Sequence, residues 1–405
     1  MNKQKLLYVA NARLPTEKAH GVQIVKMCEA LAQNGAEVEL VVPFRVQTAQ
    51  MRRVRDLWAY YGVRQRFKLT RLPSLDLLFL DRHLPGRFFY LPFYVQSLTF
   101  NVCAVFYSLL RRADVLHSRD WMFFLCWLPL RWLRRRRLVL EEHTFPHRGG
   151  WGGRLHLAVS RRVDRLVVIT HRLQELYVAA GVPAERVLVA PDGVDLAQFE
   201  YLPGKEEARR RMGLPLGKPI VGYVGRFHTL QMPKGLDTLV KAAARLREQG
   251  IEIALCFVGG PGENFPVLRE LVRQHGLPPE VLILVDQIPP TEVPLYLRAF
   301  DVCAMPFPWT EHYAYYMSPL KMFEYMASRT PIVATDLSST REILRDGENA
   351  VLVEPDDPKA LAQGIRQVLE MPDRGRQLAA QAYQDVTTLT WARRAANILA
   401  FVGAN

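Results

Sequence analysis

Short apolar runs alternate with helix-length segments along the chain, and this alternation limits the folds that it can adopt. Residues 5–10 are predicted to form a buried strand. Apolar residues then recur at helical spacing from Val25 to Ala32, up to the stop signal Asn34-Gly35. Residues 38–42 are predicted to be the next buried strand. A strand, a helix and another buried strand make a βαβ unit, which implies a parallel sheet.

The same alternation predicts two α/β domains. Strands at 115–117, 138–140 and 166–169 extend the first sheet. A second set follows a linker at 191–204, with strands at 220–224, 253–258, 281–285, 302–305 and 332–335 and helices at 236–248 and 318–327. Because a domain holds roughly 100–200 residues, a chain of 405 residues suits two domains. We predict two Rossmann-like, doubly wound parallel sheets that face each other across a cleft.

The domain boundaries follow from the linker and the last helical segment. We predict an N-terminal domain at 1–198, a C-terminal domain at 199–385, and a helix at 386–405 that packs back on the N-terminal domain.

Polar residues cluster where the strands of the first domain end. They are Asn11, His117-Ser118-Arg119-Asp120, Glu141-Glu142-His143 and Thr170-His171. In open parallel sheets the ligand crevice lies beyond the carboxyl ends of the strands. This clustering therefore indicates a functional edge.

Two cations of the second domain lie where an anion could bind. Arg226 follows a predicted strand, and Lys234 precedes a predicted helix. Arginine offers a planar fork of donors and lysine a mobile charge, a combination that suits a diphosphate. Position alone would equally allow two surface cations.

A helix start at 318–327 offers a second anion site. Ser318 is predicted to cap the helix with Pro319 at its first position, which leaves backbone N–H groups near Leu320 and Lys321 to bind phosphate oxygens. Glu324 follows on the same helix, and its carboxylate would accept from a ribose diol. Taken alone, the segment would also fit a capped amphipathic helix with an exposed glutamate.

These motifs together resemble the family-four retaining glycosyltransferases of GT-B fold. The resemblance covers nearly the whole chain, and its order and spacing are specific although each motif alone is weak. The motifs are His20-Gly21-Val22, residues 191–195, Val224-Gly225-Arg226, residues 234–237, Phe257-Val258-Gly259-Gly260 and residues 318–336.

The resemblance implies roles for these residues. Arg226 and Lys234 would hold the donor diphosphate, with the amides near Leu320 and Lys321, and Glu324 would bind the ribose. The glycine loop with Gly21 and Val22 would approach the phosphates, and His143 would touch the donor sugar near the reaction centre. Gly259 belongs to the same nucleotide-sugar site, and backbone groups near Gln287-Ile288 would select the base. The first domain would then face the acceptor and the second the donor.

One position departs from the family pattern. The family often has two glutamates separated by seven residues, and Glu324 matches the second, whereas Tyr316 occupies the place of the first. A subgroup that begins this helix with Ser-Pro-Leu-Lys shares the feature, which leaves the contacts to the sugar hydroxyls open.

The resemblance also implies the reaction. We expect a hexosyltransferase-like enzyme that retains the anomeric configuration, stabilises the leaving diphosphate electrostatically, and uses no cofactor or metal, since Asp-x-Asp is absent. The acceptor would be a hydroxyl of a glycan, such as an envelope or lipid-linked glycan.

Charge is unevenly placed along the chain. Residues 1–198 hold 30 Lys and Arg against 16 Asp and Glu, a net charge of +14, whereas residues 199–405 carry −1. The arginines between 131 and 137 are interspersed with aromatic residues between 121 and 132, and residues 88–110 carry no formal charge. This pattern suits either the surface of an anionic membrane or a solvated basic face beside a buried helix.

Localisation follows from two further features. Few residues precede the first strand, which disfavours a signal peptide, and the five cysteines lack disulfide or zinc spacing. We expect a cytoplasmic protein that associates peripherally with the inner face of the cell membrane.

Other functions are less compatible with the motifs. A sugar-nucleotide epimerase of related fold would need no acceptor, and a basic nucleic-acid-binding protein would bind in a salt-sensitive way. No helix-turn-helix, RNA-recognition or zinc-finger signature is present, so we expect no nucleic-acid partner. Gly-x-Gly-x-x-Gly is missing after the first strand, which disfavours a dinucleotide-dependent dehydrogenase.

Overall fold

The computed structural model describes residues 3–79, 90–146, 150–229 and 232–404. These residues form two compact units. The first comprises Met1–Pro191 and Trp391–Asn405, and the second comprises Asp192–Thr390. Each unit is an α/β structure built on its own parallel sheet.

The first unit contains a seven-stranded parallel sheet with the order β3-β2-β1-β4-β5-β6-β7. Its strands are β1 Lys5–Val9, β2 Glu37–Pro43, β3 Lys68–Leu72, β4 Val115–Ser118, β5 Arg137–Glu142, β6 Arg165–Val168 and β7 Val187–Val189. Tyr8 of β1 is in register with His117 of β4, and Ser118 is in register with Leu140 of β5. The carboxyl ends of these three neighbouring strands therefore lie side by side.

Helices connect these strands and close the unit. They are α1 Ala19–Gln33, α2 Leu57–Tyr61, α3 Leu91–Leu110, α4 Trp121–Trp127, α5 Trp151–Ser160 and α6 His171–Ala179. The C-terminal helix, Trp391–Gly403, packs against α1, and the Asn34 side chain after α1 donates to the carbonyl of Ala392 at 3.1 Å.

The second unit contains a six-stranded parallel sheet with the order β12-β11-β8-β13-β14-β15 and a short antiparallel hairpin of β9 and β10. The strands are β8 Ile220–Val224, β9 His228–Thr229, β10 Met232–Pro233, β11 Ala254–Val258, β12 Leu282–Val285, β13 Val302–Met305, β14 Ile332–Thr335 and β15 Val351–Val353. Alternate residues of β8 contribute to two apolar clusters, Ile220 and Val224 to one and Val221 and Tyr223 to the other, so both faces of the sheet are buried.

The helices of the second unit flank this sheet. They are α7 Lys205–Met212, α8 Leu236–Glu248, α9 Phe265–Gln274, α10 Val293–Ala299, α11 Glu311–Tyr315, α12 Leu320–Ala327, α13 Ser338–Arg341, α14 Pro358–Glu370 and α15 Pro372–Val386.

The α/β fold class and its parallel sheets are confirmed, while three edge strands were not predicted. β3, β7 and β15 each have a neighbour on one side only. β3 is mostly polar, and the other two have three residues each, so none forms the longer apolar run that marks a strand buried on both faces.

The basic and aromatic segment at 121–137 does not form one surface. Phe123, Phe124 and Trp127 are fully buried. Arg136 donates to the carbonyls of Ser108 and Arg111, while Arg131 pairs with Asp164 and Arg137 donates to the carbonyls of Val402 and Ala404. Burial of these three aromatic rings fits a buried helix, while Trp132, Leu133, Arg134 and Arg135 are exposed.

Candidate active site

The carboxyl ends of β8 and β11 approach each other through glycines. Gly225 and Gly259 follow these strands with φ angles of +128° and +95°, in the region that favours glycine. A Cβ atom on Gly259 would lie 3.3 Å from the backbone nitrogen of Gly225. The two turns can therefore pack closely only without a side chain at position 259.

Arg226 and Lys234 come together after β8. The hairpin of β9 and β10 lies between them and returns the chain to this edge, where Gly235 turns it into α8 with a φ of +75°. Burial, together with the positive charge of Arg226, lowers the pKa of Lys234 to about 8. Two cations that repel each other in this way favour binding of an anion beside them.

Lys321 adds a third cation to this edge. Its side chain is buried, with Nζ 3.5 Å from the ring centroid of Tyr223 and 5.3 Å from that of Phe307. Nζ makes no hydrogen bond among the described residues. Burial, and then the charge of Lys234, lowers the pKa of Lys321 well below its usual value.

Only the backbone amide of Lys321 was predicted to contact phosphate, and no role was predicted for its side chain. The available signal was a lysine among apolar residues on α12, whose neighbours Met322, Phe323, Tyr325 and Met326 are buried. A lysine buried at such a position is rare unless it is paired.

Glu324 lies one turn beyond Lys321 on α12. Burial raises the pKa of Glu324 to about 7, against the opposing effect of Lys321. The hydroxyl of Tyr325 accepts from the backbone N–H of Val224 at 2.9 Å, which fixes α12 to the end of β8. The helix therefore holds an acid and a buried cation at the same strand end as Arg226 and Lys234.

The prediction that Ser318 caps α12 is wrong. Pro319 occupies the N-cap position, and the helix begins at Leu320 without a side-chain cap. The hydroxyl oxygen of Ser318 instead accepts from the backbone N–H of Asp192 at 2.9 Å. Its side chain is therefore engaged by the start of the second unit rather than by the helix.

Tyr316 lies just before this helix and contacts an acid. Its hydroxyl donates to Oε1 of Glu311 at 2.6 Å. Burial, and then the charge of Lys234, lowers the pKa of His312, which indicates that α11 lies beside the cations. A carboxylate is thus present near the position of the replaced signature glutamate, contributed by Glu311.

Ile288 follows β12, at the neighbouring strand end. It is partly buried and packs against the apolar core of the second unit. Gln287 donates its backbone N–H to Oδ1 of Asp286 at 2.6 Å.

In the first unit, His143 belongs to a buried polar cluster around Glu141. Oε1 of Glu141 lies 2.8 Å from Nε2 of His143 and accepts from Nε2 of Gln23 at 2.9 Å. Arg119 in turn donates to the side-chain oxygen of Gln23. Nε2 of His117 lies 3.0 Å from the other Glu141 oxygen.

This cluster sets the protonation of His143. Burial, and then the charge of Arg119, lowers the pKa of His143 to about 4, so its ring is neutral at pH 7. Burial alone would raise the pKa of Glu141, but Arg394 and the two histidines hold it well below its usual value. Because a carboxylate only accepts, Nε2 of His143 carries the proton and Nδ1 is left as an acceptor.

The prediction of a loop at Gly21 is wrong, because α1 already begins at Ala19 and includes Gly21. A Cβ atom on Gly21 would lie 2.4 Å from Cγ2 of Thr16 and 2.7 Å from the hydroxyl of Tyr61. The glycine makes room for these side chains, and Val22 beside it is partly buried. Its approach to a phosphate stays a prediction.

Family models identify the class of protein, and solved structures show its fold. Residues 20–198 match the model described as Glycosyltransferase Family 4, and residues 204–385 match the model described as Glycosyl transferases group 1. Sucrose-phosphate synthase from Thermosynechococcus elongatus has a TM-score of 0.72 at 20% identity, with 98% of each chain covered. Anabaena HepE in complex with UDP has a TM-score of 0.71 at 15% identity, with 98% of this chain and 99% of that chain covered.

This chain is a glycosyltransferase of the GT-B fold. It is 32% identical over 313 residues to the D-inositol 3-phosphate glycosyltransferase of Nocardia farcinica (strain IFM 10152). The match covers 71% of this chain and 65% of the relative. The enzyme thus resembles family four, while its Ser-Pro-Leu-Lys subgroup stays a prediction.

The glycosyltransferase carries the predicted site residues in two groups. Electrostatic interactions link Arg226 to Lys234, Lys234 to Lys321, and Lys321 to Glu324 at one edge of the second sheet, and we call these four residues the cation pocket. His143, Gly21 and Val22 belong to the first unit. Within the described ranges, no three His, Cys, Asp or Glu side chains are grouped as a metal site would need.

Proposed function

We propose that this glycosyltransferase transfers a hexose from a nucleoside-diphosphate sugar to an acceptor hydroxyl and retains the anomeric configuration. The observation that supports this most directly is the cation pocket, in which Arg226, Lys234 and Lys321 adjoin Glu324. Burial and mutual repulsion lower the pKa values of both lysines, so the pocket is electrostatically unfavourable until an anion enters.

A diphosphate matches this arrangement. Arg226 offers two parallel N–H donors to phosphate oxygens, and the two lysines offer compact charges. The backbone amides at the start of α12, near Leu320 and Lys321, add donors aligned with the helix dipole. These groups would stabilise the negative charge that develops as the sugar leaves, which is electrostatic catalysis.

Glu324 provides a contact for the nucleoside. Its carboxylate becomes a stronger acceptor when ionised, and hydrogen bonds from the two ribose hydroxyls would favour that form. Gly259 permits the close backbone turn beside the phosphates, and Ile288 lies at the neighbouring strand end where the base would bind.

His143 provides an acceptor for a sugar hydroxyl through Nδ1, because the ring is neutral.

In the reaction, the bond between C1 of the sugar and the diphosphate oxygen breaks, and the bond from C1 to the acceptor oxygen forms on the same face. The acceptor proton passes to the leaving diphosphate oxygen, so no pair of catalytic carboxylates is required, in contrast to glycoside hydrolysis.

The relatives support the donor class. Anabaena HepE was solved with UDP, and the Nocardia relative is named for inositol 3-phosphate. By analogy we propose a nucleotide-sugar donor and a glycan acceptor, envelope or lipid-linked, met in the cytoplasm at the inner face of the cell membrane.

Thermal-shift measurements with UDP, GDP, ADP and dTDP test the donor proposal. At least one nucleotide should raise the Tm of the wild-type protein, and Arg226→Ala should lose most of that shift and reduce turnover by about 10²-fold or more. Arg273→Ala, an exposed arginine of the same unit that pairs with Glu270, is the matched control and should behave as wild type. A nucleotide shift of equal size in Arg226→Ala would contradict the assignment.

A further inference from the structure

Helix α3 buries four polar side chains beside the apolar Phe100, Ala104 and Val105, and exposes a stripe of apolar side chains on its other side. Gln96, Ser97, Asn101 and Ser108 are buried, with at most 1% exposure. Across the helix, the exposed residues are Tyr94, Leu98, Val102, Phe106 and Leu110, with exposures from 39% to 83%. A helix that packs on a protein core and faces water usually exposes charged and polar residues on its outer side, whereas the outer side of α3 is apolar.

Hydrogen bonds explain the inward polar face. Gln96 donates to Oδ1 of Asn11 at 3.0 Å, and Asn11 donates to the hydroxyl of Ser97 at 2.7 Å. Asn101 donates to Oδ2 of Asp120 at 2.9 Å. α3 is apolar and long enough to cross a membrane by composition, but these bonds fix one of its faces to the fold.

The outward face forms a continuous apolar surface. With a rise of about 1.5 Å per residue, Tyr94 and Leu110 lie about 24 Å apart along the axis. Beside the middle of α3, the exposed Leu75 donates its backbone N–H to the hydroxyl of Thr99 at 3.1 Å. Beyond its C-terminal end, Arg136 ties the segment with exposed Trp132 and Leu133 to the carbonyls of Ser108 and Arg111.

Exposed arginines border this surface at its C-terminal end. Arg111 and Arg112 directly follow α3, and Arg134 and Arg135 follow Trp132 and Leu133. α3 itself carries no charged residue, and the first 198 residues have a net charge of +14. Apolar and aromatic side chains beside a basic rim complement an anionic lipid surface, where arginine meets headgroups and apolar groups enter the acyl boundary.

We propose that the outward face of α3, with Trp132, Leu133 and the bordering arginines, docks the enzyme on an anionic membrane, with the helix lying in the plane of the interface. We call this surface the α3 face. The proposal deepens the proposed function and rests on it in one respect, namely that the membrane would carry the acceptor. Docking itself requires neither donor nor turnover.

Vesicle co-sedimentation tests the α3 face with the full chain. Wild-type protein should bind phosphatidylcholine vesicles that contain phosphatidylglycerol, bind pure phosphatidylcholine vesicles much less, and dissociate as ionic strength rises. Docking should also shift tryptophan emission to the blue, because Trp132 leaves water.

Two variants separate the apolar and the basic contributions. Phe106→Ser combined with Leu110→Ser should weaken binding about tenfold or more, because the inserted side chains are lost. Arg134→Gln combined with Arg135→Gln should weaken it about fivefold for each arginine and reduce its dependence on salt. Val267→Ser, which removes an apolar side chain exposed to 70% in the other unit, is the control and should bind as wild type.

The readouts keep this proposal distinct from the proposed function. All variants should retain the nucleotide-induced Tm shift of the wild type, which also shows that they fold. If wild type ignores anionic vesicles at low ionic strength, or if the α3-face variants bind as wild type, docking is overturned whatever the nucleotide result. The protein could instead self-associate in a concentration-dependent way without binding vesicles. If the Phe106 and Leu110 changes abolished that self-association, the α3 face would be an interface with a second copy, and the membrane-docking proposal would be overturned.

Discussion

Arg394 of the C-terminal helix and His143 at the end of β5 share one carboxylate oxygen of Glu141, at 3.0 Å from Nη2 and 2.8 Å from Nε2. Arg394 also donates through Nε to the carbonyls of Ala190 and Pro191 at 3.2 and 3.1 Å. The last helix of the chain is therefore a structural part of the cluster that orients His143.

Replacing Arg394 should change the titration of His143. The charge of Arg394 lowers the pKa of both Glu141 and His143, so Arg394→Met should raise the pKa of His143 above about 4 and that of Glu141 from its depressed value. Removing one partner of a buried pair should also cost about 3–5 kcal/mol of unfolding free energy. NMR titration of His143 and denaturant unfolding measure the two effects.

The adjacent exposed arginine is the natural control for this change. Arg393→Met alters the same helix by one position and should leave the His143 titration unchanged. Arg394→Lys retains a cation and should give a smaller shift than Arg394→Met. If the pKa of His143 is unchanged in folded Arg394→Met, Arg394 does not control the protonation of His143.

Lys321→Met should stabilise the protein while weakening donor binding. The Nζ atom is buried without a hydrogen bond among the described residues, and burial of a charge that is not hydrogen-bonded is unfavourable. An apolar side chain of similar length should raise the unfolding free energy by about 1–3 kcal/mol, the cost of a buried polar group without a hydrogen bond. Denaturant unfolding measures the change in stability, and nucleotide titration measures the change in donor affinity. Lys359→Met, at an exposed lysine, is the control. Lower stability together with wild-type affinity would contradict the prediction.

The strands at the centre of both sheets were predictable from the sequence, and several bounds were exact, as for β8, β13 and β14. Strands buried on both faces require continuous apolar runs, which a sequence displays directly. The edge strand β3, with the sequence Lys-Leu-Thr-Arg-Leu, has no such requirement and gave no signal.

The site was predictable as a set of positions but not as a network of contacts. The structure brings Arg226, Lys234 and Glu324 to one edge of the second sheet, where topology gathers the segments that follow parallel strands, and their roles stay predictions. The Arg394–Glu141 bond joins residues 253 positions apart, and nothing local in either segment indicates it. The orientation of α3 was likewise hidden, because its composition does not tell which face meets the sheet.

Glu324→Gln should remove discrimination between ribose and deoxyribose. If the carboxylate accepts from the ribose diol, the wild type should prefer a nucleoside diphosphate to its 2′-deoxy form by about 1.5–3 kcal/mol, the value of a hydrogen bond to a charged group. The neutral amide should lose most of that preference. Calorimetric titration of both nucleotides into both proteins completes a thermodynamic cycle, with exposed Glu280→Gln as the control. Equal preference in wild type and Glu324→Gln would exclude a ribose contact.

Donor affinity should depend on pH through Lys234. In the free protein its pKa is about 8, because of burial and the charge of Arg226, and a bound diphosphate should raise that pKa. Binding then takes up a proton between the free and the bound pKa values, so affinity should be constant with respect to this group below about pH 7 and fall as pH rises above about 8. Lys234→Arg keeps the charge at all these pH values and should flatten the dependence. Calorimetry in buffers of different ionisation enthalpy measures the number of protons taken up on binding. If the wild type takes up no proton near pH 8.5, about half a unit above the free pKa, Lys234 does not contact the diphosphate.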